Sequence, residues 1–142
     1  FVSFVKTTGG KGLHLQVPLS GNSNWDEVKG FSKSIADALV SAAPDRYTAV
    51  MSKAKRKGKV FIDYLRNGRG STAICPYSTR ARAGAPVATP VDWDELTPDL
   101  RPDLFTIETL PSRFAALRRD PWEGIYKFKQ SITAEGRRML EG

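Results

Sequence analysis

The chain has 142 residues, 40% of them hydrophobic and 10% aromatic, which is enough to fill one core, so a single domain over 1–142 is the expectation. A formal net charge of +7 and a pI near 9.8 suit an acidic partner, although the needs of solubility leave the same mark. One cysteine excludes an internal disulfide, and one histidine beside it excludes a Cys/His zinc site, so any metal must rest mainly on carboxylates. No apolar run nears the roughly 18 residues of a membrane span and nothing resembles a signal peptide, so no membrane partner and a cytoplasmic location are expected.

In chain order, Phe1 to Lys6 and Leu13 to Val17 read as two strands. Thr8-Gly-Gly-Lys-Gly-Leu-His14 joins them. Gly9, Gly10 and Gly12 can take positive φ, turn successive amides toward one point and let a ligand approach closely; Lys11 adds a charge. His14, just inside the second strand, could donate to an oxyanion held by the turn. This is not the P-loop, whose glycines are spaced farther apart and open a helix. A glycine-rich hairpin with a half-buried histidine is the alternative.

Pro18 closes the second strand, and a helix starts at Asn22 or Ser23. Val28, Phe31, Ile35, Leu39 and Val40 keep helical spacing to about Ala43, where Pro44 stops the run. A second helix is expected over Tyr47 to Lys55, a central strand over Lys59 to Leu65, a turn at Asn67 to Gly70 and a strand over Ser71 to Cys75. Prolines crowd the segment from Gly84 to Pro111, which predicts irregular structure with one short helix, Asp92 to Leu96, and a short strand, Phe105 to Leu110. The tail from Pro121 to Glu141 reads as helical. Strands and helices of this kind predict an α+β fold with a mixed, mainly antiparallel sheet and packed helices. Trp25, Trp93 and Trp122 read as packing anchors and Cys75 as core.

Asp63 is a lone carboxylate in an apolar stretch and calls for a cation or hydrogen bonds. Nine of the 22 basic residues lie between Lys53 and Arg82, and Asp63 is the only acid among them. It could mark a site, or it could pair with Arg66 or Lys59 at a strand end.

Three separated motifs carry a resemblance: Thr8 to His14; Gly58-Lys-Val-Phe-Ile-Asp-Tyr-Leu-Arg-Asn67; and Ala73-Ile-Cys-Pro-Tyr-Ser-Thr-Arg80-Ala-Arg-Ala-Gly-Ala-Pro86. In order and spacing they resemble the polymerase domain of bacterial ligase D, in the archaeo-eukaryotic primase superfamily. The likeness continues through Pro90 to Leu96, Phe105 to Ile107 and Asp120 to Trp122. It implies the C-terminal, catalytic half of a primase-polymerase domain. The implied activity is a template-dependent nucleotidyltransferase that fills gaps and extends DNA ends in non-homologous end joining. The implied partners are nucleoside triphosphates, DNA ends or gapped duplex, and a Ku-type end-binding protein, in a bacterial, nucleoid-associated setting. Ligase and phosphoesterase domains in the same full-length chain are implied as well.

The resemblance places Thr8, Gly9, Gly10, Lys11, Gly12, His14, Arg56 and Arg80 on the triphosphate. It places Asp63 as the third catalytic carboxylate, a ligand for Mn2+ or Mg2+. Lys53, Lys55, Lys57, Arg66, Arg69 and Arg82 are the expected DNA contacts. Thr8 stands where the family has serine and keeps the hydroxyl. The family's upstream Asp-x-Asp pair has no counterpart here. Asp92-Trp-Asp94 has the spacing but lies downstream and reads as a helix cap. The chain opens on Phe-Val-Ser-Phe-Val without an initiator Met and is expected to be a piece of a longer protein, inactive in isolation for want of that pair. A basic module that binds DNA or nucleotide without chemistry is the alternative. A ligase core is excluded, since no Lys-x-Asp-Gly adenylation motif occurs.

Overall fold

Every residue of β1 (Phe4–Thr7) is buried, which suits a strand flanked on both sides. In chain order it is followed by β2 (Leu13–Gln16), α1 (Trp25–Ala42), β3 (Tyr47–Thr48), β4 (Val60–Phe61), β5 (Pro90–Val91), α2 (Leu110–Ala116) and α3 (Ala134–Glu141). These elements come from a computed structural model, which describes residues 1–141. The fold is α+β, with an antiparallel sheet as its largest β element. By internal contacts the chain forms two compact units: Phe1–Pro18 with Ile74–Gln130, and Leu19–Ala73 with the segment from Ser131 onward.

In the first unit the strand order is β2-β1-β5, all antiparallel, with Lys6 opposite His14 and Val5 opposite Val91. Phe4, Val5, Val87, Ala88 and Val91 form the buried apolar core. Trp122 packs edge-on against Phe4 and donates its Nε1–H to the Val5 carbonyl at 2.8 Å, so the polar end of a large apolar ring is satisfied. Pro90 has no amide to give, and it lies in β5 at the sheet edge, where none is required. Arg113 of α2 clamps the helix to that edge. It pairs bidentately with Glu95 at 2.5 and 3.0 Å, donates to the Pro90 carbonyl at 2.9 Å, and stacks over Phe105.

In the second unit α1 opens on a capping box: Asn24 Oδ1 accepts from Glu27 N and Glu27 Oε2 accepts from Asn24 N, both at 2.9 Å. Its last turn closes with Ala43 N donating to Leu39 O, one residue before Pro44. It packs against α3, and β3 pairs in parallel with β4, Tyr47 opposite Val60.

Several expected elements differ. The helix over Tyr47 to Lys55 is instead β3 followed by one 3-10 turn, Lys53–Arg56. Arg46 and Thr48 give their carbonyls to Val60 and Ile62, and the like charges of Lys53 and Lys57, four residues apart, disfavour an α-helix there. The strand over Lys59 to Leu65 shrinks to β4, because Asp63 Oδ1 accepts from Leu65 N at 3.1 Å and turns the chain. Ser71 to Cys75 forms no regular strand, and Cys75 is exposed rather than core. Phe105 to Leu110 is no strand either. Thr106 and Thr109 exchange hydroxyl and amide hydrogen bonds in a turn that starts α2, and Pro111 stands in its first turn, where a missing amide costs nothing. The tail is broken at Gly124, φ +81, before α3. The short helix after Asp92 is present as a 3-10 turn, Trp93–Glu95, with Asp92 N donating to Glu95 Oε2 as the cap reading expects. Trp122 is an anchor and Trp93 is tied through Nε1 to Ser3 O, whereas Trp25 is 57% exposed.

Candidate functional site

The glycine turn lies in the first unit, between β1 and β2. Gly9 has φ +62 and gives its amide to the Pro102 carbonyl at 2.8 Å. A β-carbon there would stand 3.1 Å from Arg80 Cγ and 3.1 Å from the Pro86 carbonyl oxygen, so the turn and the Arg80 segment touch only because residue 9 is glycine. Thr8 organises the loop from within. Its buried hydroxyl donates to Gly12 O at 2.7 Å and receives the amides of Gly10 and Gly12 at 3.2 and 3.3 Å. Gly12 has open space on its side-chain face.

Cations gather around this turn. Arg80 donates Nε–H to the Thr8 carbonyl at 3.1 Å, and Arg82 Nη1 lies 4.0 Å from where a β-carbon on Gly10 would stand. Lys11 is exposed at the tip, and His14, half-buried in β2, faces Lys6 across the strand pair. Among the described residues none of Lys11, Arg80 and Arg82 makes an ion pair with a carboxylate. Beneath them Lys6 is buried and donates Nζ–H to Ile74 O at 2.7 Å. Burial pushes its pKa down to about 8, with a smaller upward pull from Cys75 and a further push down from Arg80. The amides of Gly9, Gly10 and Gly12 are engaged by Pro102 O and Thr8 Oγ1, and the Thr8 hydroxyl by Gly12 O, so the turn does not aim its glycine amides at one outside point as expected; what it gathers is positive charge that no carboxylate among the described residues pairs with.

Asp63, Arg56, Lys53, Lys55, Lys57, Arg66 and Arg69 belong to the second unit. There a hollow of about 310 Å3 is lined by Met51, Arg56, Phe61, Asp63 and Arg66, so three of the expected site residues share one surface. Arg56 lies flat over the Phe61 ring at 3.8 Å and donates Nη2–H to the Met51 carbonyl, while its buried Nε–H finds no acceptor among the described residues. Asp63 is exposed, beyond the end of β4, and its Oδ2 faces Arg66 Nε at 3.5 Å. Lys53, Lys55, Lys57 and Arg69 are exposed. Among the described residues no three His, Cys, Asp or Glu side chains gather to hold a metal ion. Hard cations in nucleotide enzymes take carboxylates together with phosphate oxygens, and Asp63 offers one carboxylate already engaged by Leu65 N and Arg66, so these residues alone do not make a metal centre.

A family model described as the LigD primase-polymerase domain matches residues 1–122. The chain belongs to the LigD primase-polymerase domain family. It is 43% identical over 139 residues to the multifunctional non-homologous end joining protein LigD of Pseudomonas aeruginosa, covering 97% of this chain and 16% of that protein. With the bifunctional LigD of Bacillus subtilis it shares 38% identity over 112 residues, 78% of this chain and 18% of that one. The polymerase domain of Mycobacterium tuberculosis ligase D, solved in complex with DNA, matches with a TM-score of 0.81 at 35% identity, over 91% of this chain and 44% of that one. The chain thus spans less than a fifth of these LigD proteins and less than half of the solved LigD polymerase domain. The family read from the three motifs is borne out, as is the fold class, and the relatives tie the LigD primase-polymerase family to DNA repair by end joining. Among the described residues no helix is long and apolar enough to cross a membrane.

Lys6 was not among the residues expected around the turn. A single charge inside Phe4-Val5-Lys6-Thr7 is the same signal that drew attention to Asp63, and it marks a buried cation directly beneath the turn. Arg82, expected as a DNA contact, stands beside Gly10.

Proposed function

We propose that this chain binds and orients the incoming nucleoside triphosphate of a template-dependent nucleotidyltransferase that fills gaps and extends ends during non-homologous end joining. The observation that carries this reading is the group of cations Lys11, Arg80 and Arg82 around the Gly9-Gly10 turn, none of which makes an ion pair among the described residues, in a chain of the primase-polymerase family. Lys11 and the arginines take the triphosphate oxygens, Arg80 and Arg82 by the planar fork that suits phosphate. The glycines keep the turn close and open. Thr8 holds its shape, and His14 donates to a phosphate oxygen from β2. Charge of this kind, fixed before the substrate arrives, steadies the oxygens on which negative charge accumulates in phosphoryl transfer.

Taken by itself, the second unit is proposed to offer Arg56 as a phosphate-binding group and Lys53, Lys55, Lys57, Arg66 and Arg69 as contacts to the DNA backbone, where each neutralised phosphate adds salt-dependent affinity. The reaction calls for Mn2+ or Mg2+, and Asp63 alone does not hold such an ion, so binding and orientation are the part proposed for this chain. Residues 1–142 are taken as the C-terminal part of one primase-polymerase domain. The 142-residue polypeptide by itself extends no primer.

DNA ends or gapped duplex, a Ku-type end-binding protein, and ligase and phosphoesterase domains in the same full-length chain are the proposed partners. The names multifunctional and bifunctional borne by the relatives support the last of these. The proposed location is the bacterial cytoplasm, at the nucleoid.

A second reading, a basic module that holds DNA or nucleotide without chemistry, is favoured by one observation: Asp63 is satisfied by Arg66 and Leu65 N without any ligand. Gap filling by the full-length protein separates the two. Lys11→Ala and Asp63→Ala that each abolish nucleotide incorporation while leaving DNA binding intact support the polymerase. Incorporation undiminished in both removes these residues from the reaction.

A further inference from the structure

Tyr77 has φ +59, a left-handed backbone that bulky aromatic residues rarely adopt. Its amide bonds to Ala88 O at 2.6 Å and Ala88 N returns to Ser78 O at 2.9 Å, which holds the conformation in place. The consequence is a ring turned away from the core. It is 40% exposed and meets Phe114 of α2 edge to face, centroids 5.4 Å apart, and Phe114 is itself 48% exposed. Conformations of this kind concentrate where function requires a particular side-chain direction.

The two rings line a hollow of about 390 Å3 together with Leu117, Arg118, Arg119 and Asp120. The charged members differ in how they are engaged. Arg119 pairs with Asp92 at 3.0 Å, and Asp120 caps the following turn through Trp122 N at 2.8 Å. Arg118 is exposed and, among the described residues, forms no ion pair. The helix that presents Phe114 is tied to Glu95 and to the Pro90 carbonyl through the neighbouring Arg113. Among the described residues, what remains on offer is two aromatic rings, Leu117 and the exposed Arg118, which makes no ion pair.

We propose that Tyr77 and Phe114 form a stacking site for an unpaired nucleobase of a single nucleic-acid strand, with Arg118 holding the adjoining phosphate. Stacking on aromatic side chains beside a cation is how single strands are gripped without regard to sequence. Paired bases in a duplex keep their faces covered and can use only the cation. The site shares no residue with the glycine turn and does not depend on the triphosphate reading.

The test is fluorescence anisotropy of a short labelled oligothymidylate, and of a blunt duplex of equal length, with the protein and its Phe114→Ala, Phe114→Leu and Arg118→Ala variants. Phe114→Ala and Phe114→Leu should each weaken single-strand binding by about tenfold and leave duplex binding within about twofold. Arg118→Ala should lower the salt dependence of single-strand binding by about one phosphate's worth. Circular dichroism checks the fold; if Phe114→Ala is unfolded, Phe114→Leu and Arg118→Ala still decide. Single-strand binding unchanged in the folded variants overturns the proposal and leaves a protein partner as the occupant. Equal losses for strand and duplex overturn it as well. Triphosphate binding, measured in parallel, should be unaffected by all three, so failure here is separate from failure at the glycine turn.

Discussion

Gly9 and Arg80 touch at a distance that allows no side chain between them: a β-carbon on residue 9 would lie 3.1 Å from Arg80 Cγ. The contact joins the loop between β1 and β2 to a segment more than sixty residues later, and it puts a guanidinium onto the Thr8 carbonyl. Gly9→Ala meets both this contact and a φ of +62. Alanine at such a position is expected to cost about 1–3 kcal/mol of stability and to displace Arg80. Chemical denaturation and triphosphate affinity should fall together. A variant with parental stability and affinity would show that the turn is not built around this contact.

Lys6 gives a pH test. Burial holds its pKa at about 8 against an ordinary 10.5. For a base whose folded pKa is depressed, the unfolded chain binds more protons between the two values, so stability rises with pH from about 8 toward 10.5, and the penalty of the buried charge is present in full below about 8. Urea melts should show a rise of at most about 1.4 kcal/mol per pH unit that is absent in Lys6→Met. Tyr77, whose phenol burial pushes above its ordinary 10.0, sets the upper limit of the useful window. Parallel pH profiles for parent and variant would place Lys6 outside the buried set.

Arg113 and Glu95 are the main polar clamp of the first unit. Arg113→Ala removes two charge-assisted bonds and uncovers Glu95 and the Pro90 carbonyl, and is expected to cost about 2–4 kcal/mol. The hydrogen bond from Arg113 chiefly lowers the pKa of Glu95 below its ordinary 4.5. That contribution is present above about pH 4.5 and is lost as pH falls through the lower folded value, so the parent should resist mild acid better than the variant. Acid denaturation curves that coincide would contradict the clamp.

Asp63 is expected to be dispensable for folding. Its exposed pairing with Arg66 and its bond to Leu65 N predict a loss of less than about 1 kcal/mol in Asp63→Asn, read from thermal melts. A large loss would turn Asp63 into a structural residue and weaken its reading as a reacting-site carboxylate.

Much of this was legible in the sequence, and the failures have physical causes. Helix α1 was readable because Val28, Phe31, Ile35 and Leu39 keep one face and Pro44 stops the run, although its cap falls on Asn24 with Glu27 rather than at Asn22 or Ser23. The strand pair around the glycine turn was readable from its valine, phenylalanine and leucine content and from the glycines between. Asp63 misled, because a carboxylate among apolar residues looks like a charge inside a strand, whereas its side chain accepts from Leu65 N and ends the strand itself. Pro111 misled in the opposite sense, since the proline read as irregularity stands in a helix's first turn. Of the candidate site, the glycine turn with Lys11 and His14 was readable in the residues themselves, and Arg80 only through the resemblance to the family. The place of Arg82 beside Gly10 depends on the bend between Arg80 and Pro86, and the burial of Lys6 depends on β1 being flanked by two strands sixty residues and more apart in one direction. Neither leaves a local pattern.

The central claim is that the glycine turn binds a nucleoside triphosphate, and calorimetry of such a triphosphate with Mn2+ tests it most directly on the parent chain, Lys11→Ala, His14→Ala and Asp63→Ala. The account predicts measurable binding, weakened about tenfold or more by Lys11→Ala and by His14→Ala, as expected for the loss of a hydrogen bond to a charged group. Asp63→Ala should bind the triphosphate as the parent does, since Asp63 by itself holds no metal ion. Absence of triphosphate binding, alongside salt-sensitive DNA binding that none of these substitutions alters, would contradict it and reduce the turn to a structural feature of a basic module.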